Sequence, residues 1–337
     1  MTKNLEREFK QKIILITGGT GSIGLGIAKQ LAKYSPKEIR LFSNDENSIV
    51  EAKETIGKNS AYKFMVGDVR EKDRLNLAIR DVDIVYHAAA MKHIDICEEN
   101  PFDAVKTNVV GTSNILESAI IEGVKKFVFI STDKATNPTS TLGGSKLLAE
   151  RLTLDASSYV KNNKTIFSIV RFGNVIGSRG SVFQIFQNQI KNKKPLTVTD
   201  KRMTRFIMSI SAAASMILKV TSISNSGEIY ILKMPSIKIE DLAKGMVSVY
   251  GKRFPEYGDK LKIKISKTRE RERFSELLIS NDELSFCHDI GDMYKVSKIE
   301  NKKPLSIKEF DSGTATKIVQ KKLHKTINEL IDDYTSF

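Results

Sequence analysis

Short apolar runs recur through the first half of the chain, at 12–17 (KIILIT), 38–43 (EIRLFS), 62–67 (YKFMVG), 83–87 (DIVYH), 126–131 (KFVFIS) and 166–171 (IFSIVR). They are rich in β-branched and aromatic residues and lack polar alternation, which predicts strands buried on both faces of a parallel sheet. Polar, helix-period segments separate them. In one, Val105, Val109, Leu116 and Ala119 are predicted to share a helical face, with Gly123 ending the helix. Alternating strands and helices imply an α/β fold with a doubly wound sheet and right-handed crossovers. After about Gly173 the loops carry Gly, Ser and Lys and the elements become mixed. A last helix, KKLHKTINELIDDY, places Leu323, Ile327, Leu330 and Ile331 on one face. The plan expected is a nucleotide-binding domain over 11–175 and a smaller, mixed substrate domain over 176–337, with 205–235 returning to the sheet. There is no internal repeat or low-complexity tract.

Composition narrows the class. With 337 residues, 40% hydrophobic and 28% charged, the chain matches an ordinary globular protein with room for one large or two moderate cores. No apolar run approaches the ~20 residues of a membrane span. The start MTKNLEREFKQK is unlike a signal peptide, so a cytoplasmic protein is expected. Cys97 and Cys287 cannot build a disulfide framework. His87, His93, His288 and His324 lack metal-ligand spacing, and no metal is expected. The net charge of +14 suits nucleic acid, a membrane face or a small polyanionic substrate. In the densest basic run, Lys260 to Arg273, Leu261, Ile263 and Ile265 alternate with Lys260, Lys262 and Lys264, which reads as a solvated strand edge. Neither aromatic interleaving nor a nucleic-acid motif accompanies it, so no nucleic-acid partner is expected.

The stretch ILITGGTGSIGLGIAKQLAK is a strand, a glycine-rich turn and a helix. Gly18, Gly21 and Gly24 supply a tight turn, close backbone approach to a pyrophosphate, and helix–strand packing. A glycine triplet alone is weak, but one that follows the first strand and opens a helix marks a Rossmann-type dinucleotide site. At the second strand's tip, Ser43 stands where an NAD-selecting acid is expected and Asp45 comes two residues late. Ser43 and Asn44 could bond a 2′-phosphate, with Arg40 nearby; Asn44 and Asp45 as plain turn residues is an equal reading. NADP is favoured and NAD stays open. Asp68 in GDVRE is a candidate for the adenine amino group.

The motifs TGGTGSIG, GDVRE, YHAAAMKHIDICEENPFDAVKTNVVGTSN, STDKATNP, RFGNVIGSRGSV and RMTRFIMS stand in this order between about residues 11 and 297. In this the chain resembles the extended short-chain dehydrogenase/reductases. More narrowly it is similar to their polysaccharide-biosynthesis branch, which contains UDP-N-acetylglucosamine 4,6-dehydratases, including those that invert C5. The resemblance implies a cofactor set of Gly18, Thr20, Gly21, Ser22, Ile23, Gly24, Ser43, Asn44, Asp68, Val69, Ala88, Ala89 and Lys146. It implies an internal redox cycle: hydride leaves sugar C4, the C5 proton is removed, the C6 hydroxyl departs as water, and hydride returns to C6. Such an elimination needs a base and an acid side by side. By resemblance Lys134 is the C5 base, Asp133 the C6 acid, and Thr132 a hydrogen-bonding partner of the O4 region.

Lys146 matches the lysine of the family's Tyr-x-x-x-Lys pair, which holds the nicotinamide ribose. Leu142 stands in the tyrosine's place and has no proton to exchange, so another group must serve O4. For the substrate, Asn174 and the glycine–serine loop after it are expected at the phosphates, and Arg205 at the diphosphate, where its fork matches phosphate oxygens. By resemblance Arg269 binds phosphate and Glu272 the uridine ribose, although Glu270 and Arg271 replace the usual proline and glycine. Lys92 is a further candidate at the sugar. A UDP-sugar substrate and a homo-oligomer are expected. Beside the dehydratase, with or without C5 inversion, two alternatives stand. One is a UDP-hexose 4-epimerase, which needs only C4 oxidation and return of the hydride; the other is a catalytically silent dinucleotide-binding scaffold, kept in view by Leu142.

Overall fold

The computed structural model describes residues 2–160, 165–256, 261–266, 273–301 and 310–335. The chain folds into two compact units, one of Met1–Phe172, Ser211–Lys233 and Ile279–Lys308, the other of Gly173–Ile210, Met234–Leu278 and Glu309–Phe337.

The first unit is built on the strands foreshadowed by the apolar runs: β1 (Ile13–Thr17), β2 (Glu38–Ser43), β3 (Tyr62–Val66), β4 (Ile84–His87), β5 (Lys126–Thr132) and β6 (Ile166–Phe172). Their spatial order is β6-β5-β4-β1-β2-β3, all parallel. Strand Glu228–Leu232 adds in parallel beside β6, and Met293–Val296 and Cys287–Asp289 continue antiparallel. The reversal of strand order lies between β1 and β4, the switch point where open α/β sheets hold their ligands at strand carboxyl ends. Continuous apolar runs form the inner strands because helices cover both faces, and every residue of β4 is buried. The edge strand β3, expected to be buried on both faces, has no buried residue.

The unit differs from the expected plan in two ways: of 205–235 it takes in Ser211–Lys233, with strand Thr204–Ser209 in the other unit, and a third segment joins it. Besides the strand at 228–232, residues 279–301 also return to the sheet as antiparallel additions, although their short, half-polar runs (CHD, MYKV) carry no parallel-strand signature.

The helical face also needs correction. Val105 is exposed, whereas Ala104, Asn108, Thr112, Ile115, Leu116 and Ala119 are buried. The cause is a wide turn at Lys106–Val110 between helices Pro101–Val105 and Gly111–Ile121. It inserts an extra residue and rotates the preceding turn away from the 3.6-residue period. Gly123 ends the second helix at φ 66° as expected.

In the second unit, Ile239–Arg253 and the terminal helix Gln320–Thr335 pack together, burying Leu323, Ile327, Leu330 and Ile331 with Phe183, Phe186, Leu242 and Met246. Strand Ile263–Ile265 pairs in parallel with Leu196–Val198, with Lys262 and Lys264 exposed; Lys260 lies outside the described residues.

Candidate active site

The turn between β1 and helix Ser22–Leu31 requires glycine at two places. Gly18 has φ 63°, and a Cβ there would lie 2.7 Å from the Ala89 nitrogen; one on Gly24 would lie 2.4 Å from the Gly18 carbonyl oxygen. The turn therefore packs against Ala88 and Ala89 at the end of β4. Gly21 precedes the helix in extended conformation, and Ser22 and Ile23 form its first turn. The first-turn N–H groups of a helix and its dipole favour an anion at this end. The cradle fits a dinucleotide pyrophosphate. Thr20, by contrast, is buried, and its hydroxyl meets Ser43 Oγ at 2.9 Å and Ser48 Oγ at 2.7 Å.

Those bonds make Ser43 a brace between strand tip and glycine turn. Arg40 does not lie ready for a phosphate: its Nη1 donates to the Ala78 and Arg80 carbonyls and its Nε to Glu38. The cation at the tip is Arg70, which donates to Asp68 through its backbone N (2.9 Å), Nε (3.0 Å) and Nη2 (2.7 Å). Asn44 Nδ2 donates to the same carboxylate at 3.0 Å. Four donors occupy Asp68, so an adenine amino group there would have to displace one. They also hold its pKa below the usual carboxylate value, against the opposing effect of partial burial. Val69 is buried under Gly111, and its carbonyl accepts from Asn114.

At the carboxyl end of β5 the strand runs straight into Thr132, Asp133 and Lys134. Asp133 is fully buried; its Oδ1 accepts from Thr132 Oγ1 at 2.9 Å and Lys134 Nζ at 3.0 Å, while Oδ2 has no hydrogen-bond partner. An orphaned buried carboxylate oxygen is costly in a fold unless something else is meant to meet it.

Ser140 caps the next helix, Thr141–Ala156, which carries Leu142 and Lys146. Lys146 is buried. Its Nζ donates to the Ile130 carbonyl at 2.6 Å and sits 4.0 Å from the Phe129 ring centroid. Burial pulls its pKa down to about 7, opposed by the charge of Glu150. Leu142 is buried with Cys97 and Ala104, flanked by Met91 and Ile94. Lys92 is exposed in the loop after β4. His87 is fixed between Thr17 Oγ1 (2.6 Å) and Thr112 Oγ1 (2.9 Å), and burial lowers its pKa to about 3, so it stays neutral.

In the second unit, Asn174 begins strand Asn174–Ile176 with a buried Oδ1 lacking a hydrogen-bond partner. Arg205 donates to the Thr204 carbonyl, and its Nε lies 3.7 Å from Glu276. Arg269 and Glu272 lie outside the described residues. Among the described residues there is no cluster of three or more potential metal ligands, and no helix long and apolar enough to cross a membrane.

A family model described as polysaccharide biosynthesis protein matches residues 14–298. The chain belongs to that family. It is 47% identical over 299 residues to an uncharacterized membrane protein of Methanocaldococcus jannaschii, covering 88% of this chain and 89% of the relative. It is 40% identical over 291 residues to the UDP-N-acetylglucosamine 4,6-dehydratase (inverting) of Campylobacter jejuni, covering 86% and 84%. A protein named UDP-glucose 4-epimerase from Rickettsia bellii is 37% identical over 332 residues, covering 97% and 92%. Among solved structures, Pen from Bacillus thuringiensis matches with 38% identity and a TM-score of 0.88, over 95% of this chain and 98% of that one. The matched range takes in Thr132, Asp133, Lys134, Leu142 and Lys146.

Two features of this family member escaped the sequence. Asn108 holds the Met91 backbone at both N–H (2.8 Å) and carbonyl (3.1 Å) and donates to Ser145 Oγ at 2.9 Å, tying the loop after β4 to the helix of Lys146. Only an unpaired polar residue on an apolar helix face could have announced it. The other is Glu150, which looks like surface charge in sequence but is buried one helical turn beyond Lys146.

Proposed function

We propose that this protein is a sugar-nucleotide 4,6-dehydratase acting on UDP-N-acetylglucosamine, with NADP as its dinucleotide. The observation that carries the reading is Asp133: a buried carboxylate, hydrogen-bonded to Lys134 and Thr132, with one oxygen left for a ligand. The similarity to the Campylobacter dehydratase over most of both chains supports the same substrate class.

The Gly18–Gly24 cradle would hold the dinucleotide by its pyrophosphate, and the nicotinamide would supply reversible hydride storage between sugar C4 and C6. The chain's own residues do the rest. Lys146 holds the nicotinamide ribose and places positive charge beside it. Lys134 removes the C5 proton and returns it to C5 when hydride arrives at C6, and Asp133 passes to the departing C6 hydroxyl the proton taken from O4, so that the group leaves as water. An elimination needs base and acid together, and a 3.0 Å contact between the two groups meets that need. Leu142 offers no proton acceptor, so Thr132 and Asp133 serve the O4 hydroxyl during C4 oxidation. Asn174 and Arg205 are assigned to the diphosphate. For the 2′-phosphate, the assignment passes from Arg40, buried against the Ala78 and Arg80 carbonyls, to the exposed Arg70 with Asn44, both of which would have to turn from Asp68 to reach it.

The second reading, a 4-epimerase, draws on the Rickettsia relative. An epimerase has no use for an acid–base pair at C5 and C6, so Asp133–Lys134 favours the dehydratase. Mass spectrometry of purified protein with UDP-N-acetylglucosamine separates them: product lighter by one water supports dehydration. An isomer of unchanged mass, or no turnover, contradicts it.

A further inference from the structure

We infer that Glu150 is a positioning residue of the candidate active site: its carboxylate clamps Ser131 and Arg171 together at the carboxyl ends of β5 and β6 and sets a negative charge one helical turn from the Lys146 ammonium. The inference rests on the reading of Lys146 as the lysine at the nicotinamide ribose.

The geometry is that of a clasp. Ser131 and Arg171 are register partners on neighbouring strands, their side chains on the same face. Glu150 comes down on them from helix Thr141–Ala156: Oε1 accepts from Ser131 Oγ at 2.5 Å and Arg171 Nε at 3.1 Å, and Oε2 accepts from Arg171 Nη2 at 2.7 Å. Ser131 is the residue before Thr132 and two before Asp133, so this clasp fixes the strand end from which the acid–base pair hangs. Arg171 is then held from its far side by Glu283, with Nη1 to Oε2 and Nη2 to Oε1 both at 2.9 Å. Glu283 is itself locked by a capping box with Ser280. Arg171 therefore sits between two carboxylates, which hold its proton more firmly still against the effect of burial.

The charge count explains why Lys146 needs Glu150. Lys146 donates to a carbonyl and an aromatic face but to no carboxylate. Of the ionisable groups on elements packed around its helix, His87 on β4 is neutral, and Asp133 after β5 is engaged by Lys134. Arg171 on β6 is shared by Glu150 and Glu283, Glu98 accepts from the Thr141 amide, and the Cys97 thiol is held protonated by burial. Among the described residues, Glu150, at i+4 on the same helix face, is the group whose charge opposes the desolvation of Lys146.

The test is a pH titration of the Lys146 Nζ resonance in protein carrying ¹⁵N-labelled lysine, assigned by its loss in Lys146→Met. It uses neither substrate nor turnover, so a failed dehydratase reading and a failed inference give different results. In Glu150→Gln the Lys146 midpoint is expected to fall by about one pH unit, the size of effect a nearby opposite charge exerts. In Glu283→Gln, which keeps Glu150 on Arg171, the midpoint is expected to stay in place. If Glu150→Gln does not fold, Glu150→Asp retains the charge but draws it back by one methylene, and a smaller downward shift is expected. An unchanged midpoint in the folded variant, or an equal fall in Glu283→Gln, overturns the inference.

Discussion

Lys134 Nζ stands 3.0 Å from Asp133 Oδ1, while the second oxygen of that fully buried carboxylate has no partner. The pair forms because the chain leaves β5 in a tight turn at Thr132, whose hydroxyl bonds the same Oδ1 at 2.9 Å. Each proposed role can be removed separately.

Lys134→Ala is expected to lower water loss by ~10²–10⁴-fold, the usual worth of a general base, and to leave dinucleotide affinity nearly unchanged. Turnover assays and calorimetry of cofactor binding check both parts. Wild-type turnover in this variant removes Lys134 from the mechanism.

Leu142→Tyr addresses the missing phenol. Leu142 fills an apolar cluster with Cys97 and Ala104, so a tyrosine there adds bulk to a packed site and places a hydroxyl among apolar side chains. We expect no gain in turnover, and a loss of stability of about 1–3 kcal/mol in urea unfolding. A hundredfold rise in rate would mean that the chain lacks a first base altogether.

The sequence made the sheet legible because its inner parallel strands are buried on both faces, and unbroken apolar runs leave little choice of structure; the edge strand β3 is not buried. It made the glycine turn legible because Gly18 and Gly24 admit no Cβ. It could not show that Arg40 turns to the Ala78 and Arg80 carbonyls, since a strand residue's partners lie far away in the chain. Glu150 and Arg171 were hidden for a related reason. A charge on a helix and a charge in a strand look like solvated surface until the register of β5 and β6 brings Ser131 and Arg171 side by side. The wide turn at Lys106–Val110 left no mark in the periodicity, so Val105 was assigned to the wrong face.

Arg70→Ala tests cofactor choice. A charge-assisted hydrogen bond is worth about 1.5–3 kcal/mol, so NADP affinity is expected to fall by roughly tenfold or more while NAD affinity changes little. Fluorescence titration with both dinucleotides reads this; an equal loss for both assigns Arg70 to the strand tip alone.

Lys146 predicts a pH dependence. Burial lowers its pKa to about 7, so its positive charge, and the activity that depends on it, should decline as pH rises through about 7. The stability effect has the opposite sense. Between about 7 and the ordinary lysine value the unfolded chain binds the proton that the folded one has lost, so this group's contribution to stability grows as pH rises across that window. Lys146→Arg, charged throughout, should remove the activity limb. A limb that persists in this variant belongs to another group.

Arg171→Met removes the cation between two carboxylates, leaving Glu150 buried with only Ser131 as a hydrogen-bond donor from the clasp. Breaking a buried ion pair by losing one partner costs about 3–5 kcal/mol, and urea unfolding should show a loss of that order.

The central claim is that hydride taken from C4 is returned to C6 of the same sugar. Incubation of the purified protein with UDP-N-acetylglucosamine carrying deuterium at C4, without added reductant, tests it by NMR of the product. The account predicts deuterium in the C6 methyl group of a 4-keto product, with no build-up of reduced cofactor. Deuterium retained at C4 of an intact sugar, or reduced cofactor accumulating in step with product, contradicts it.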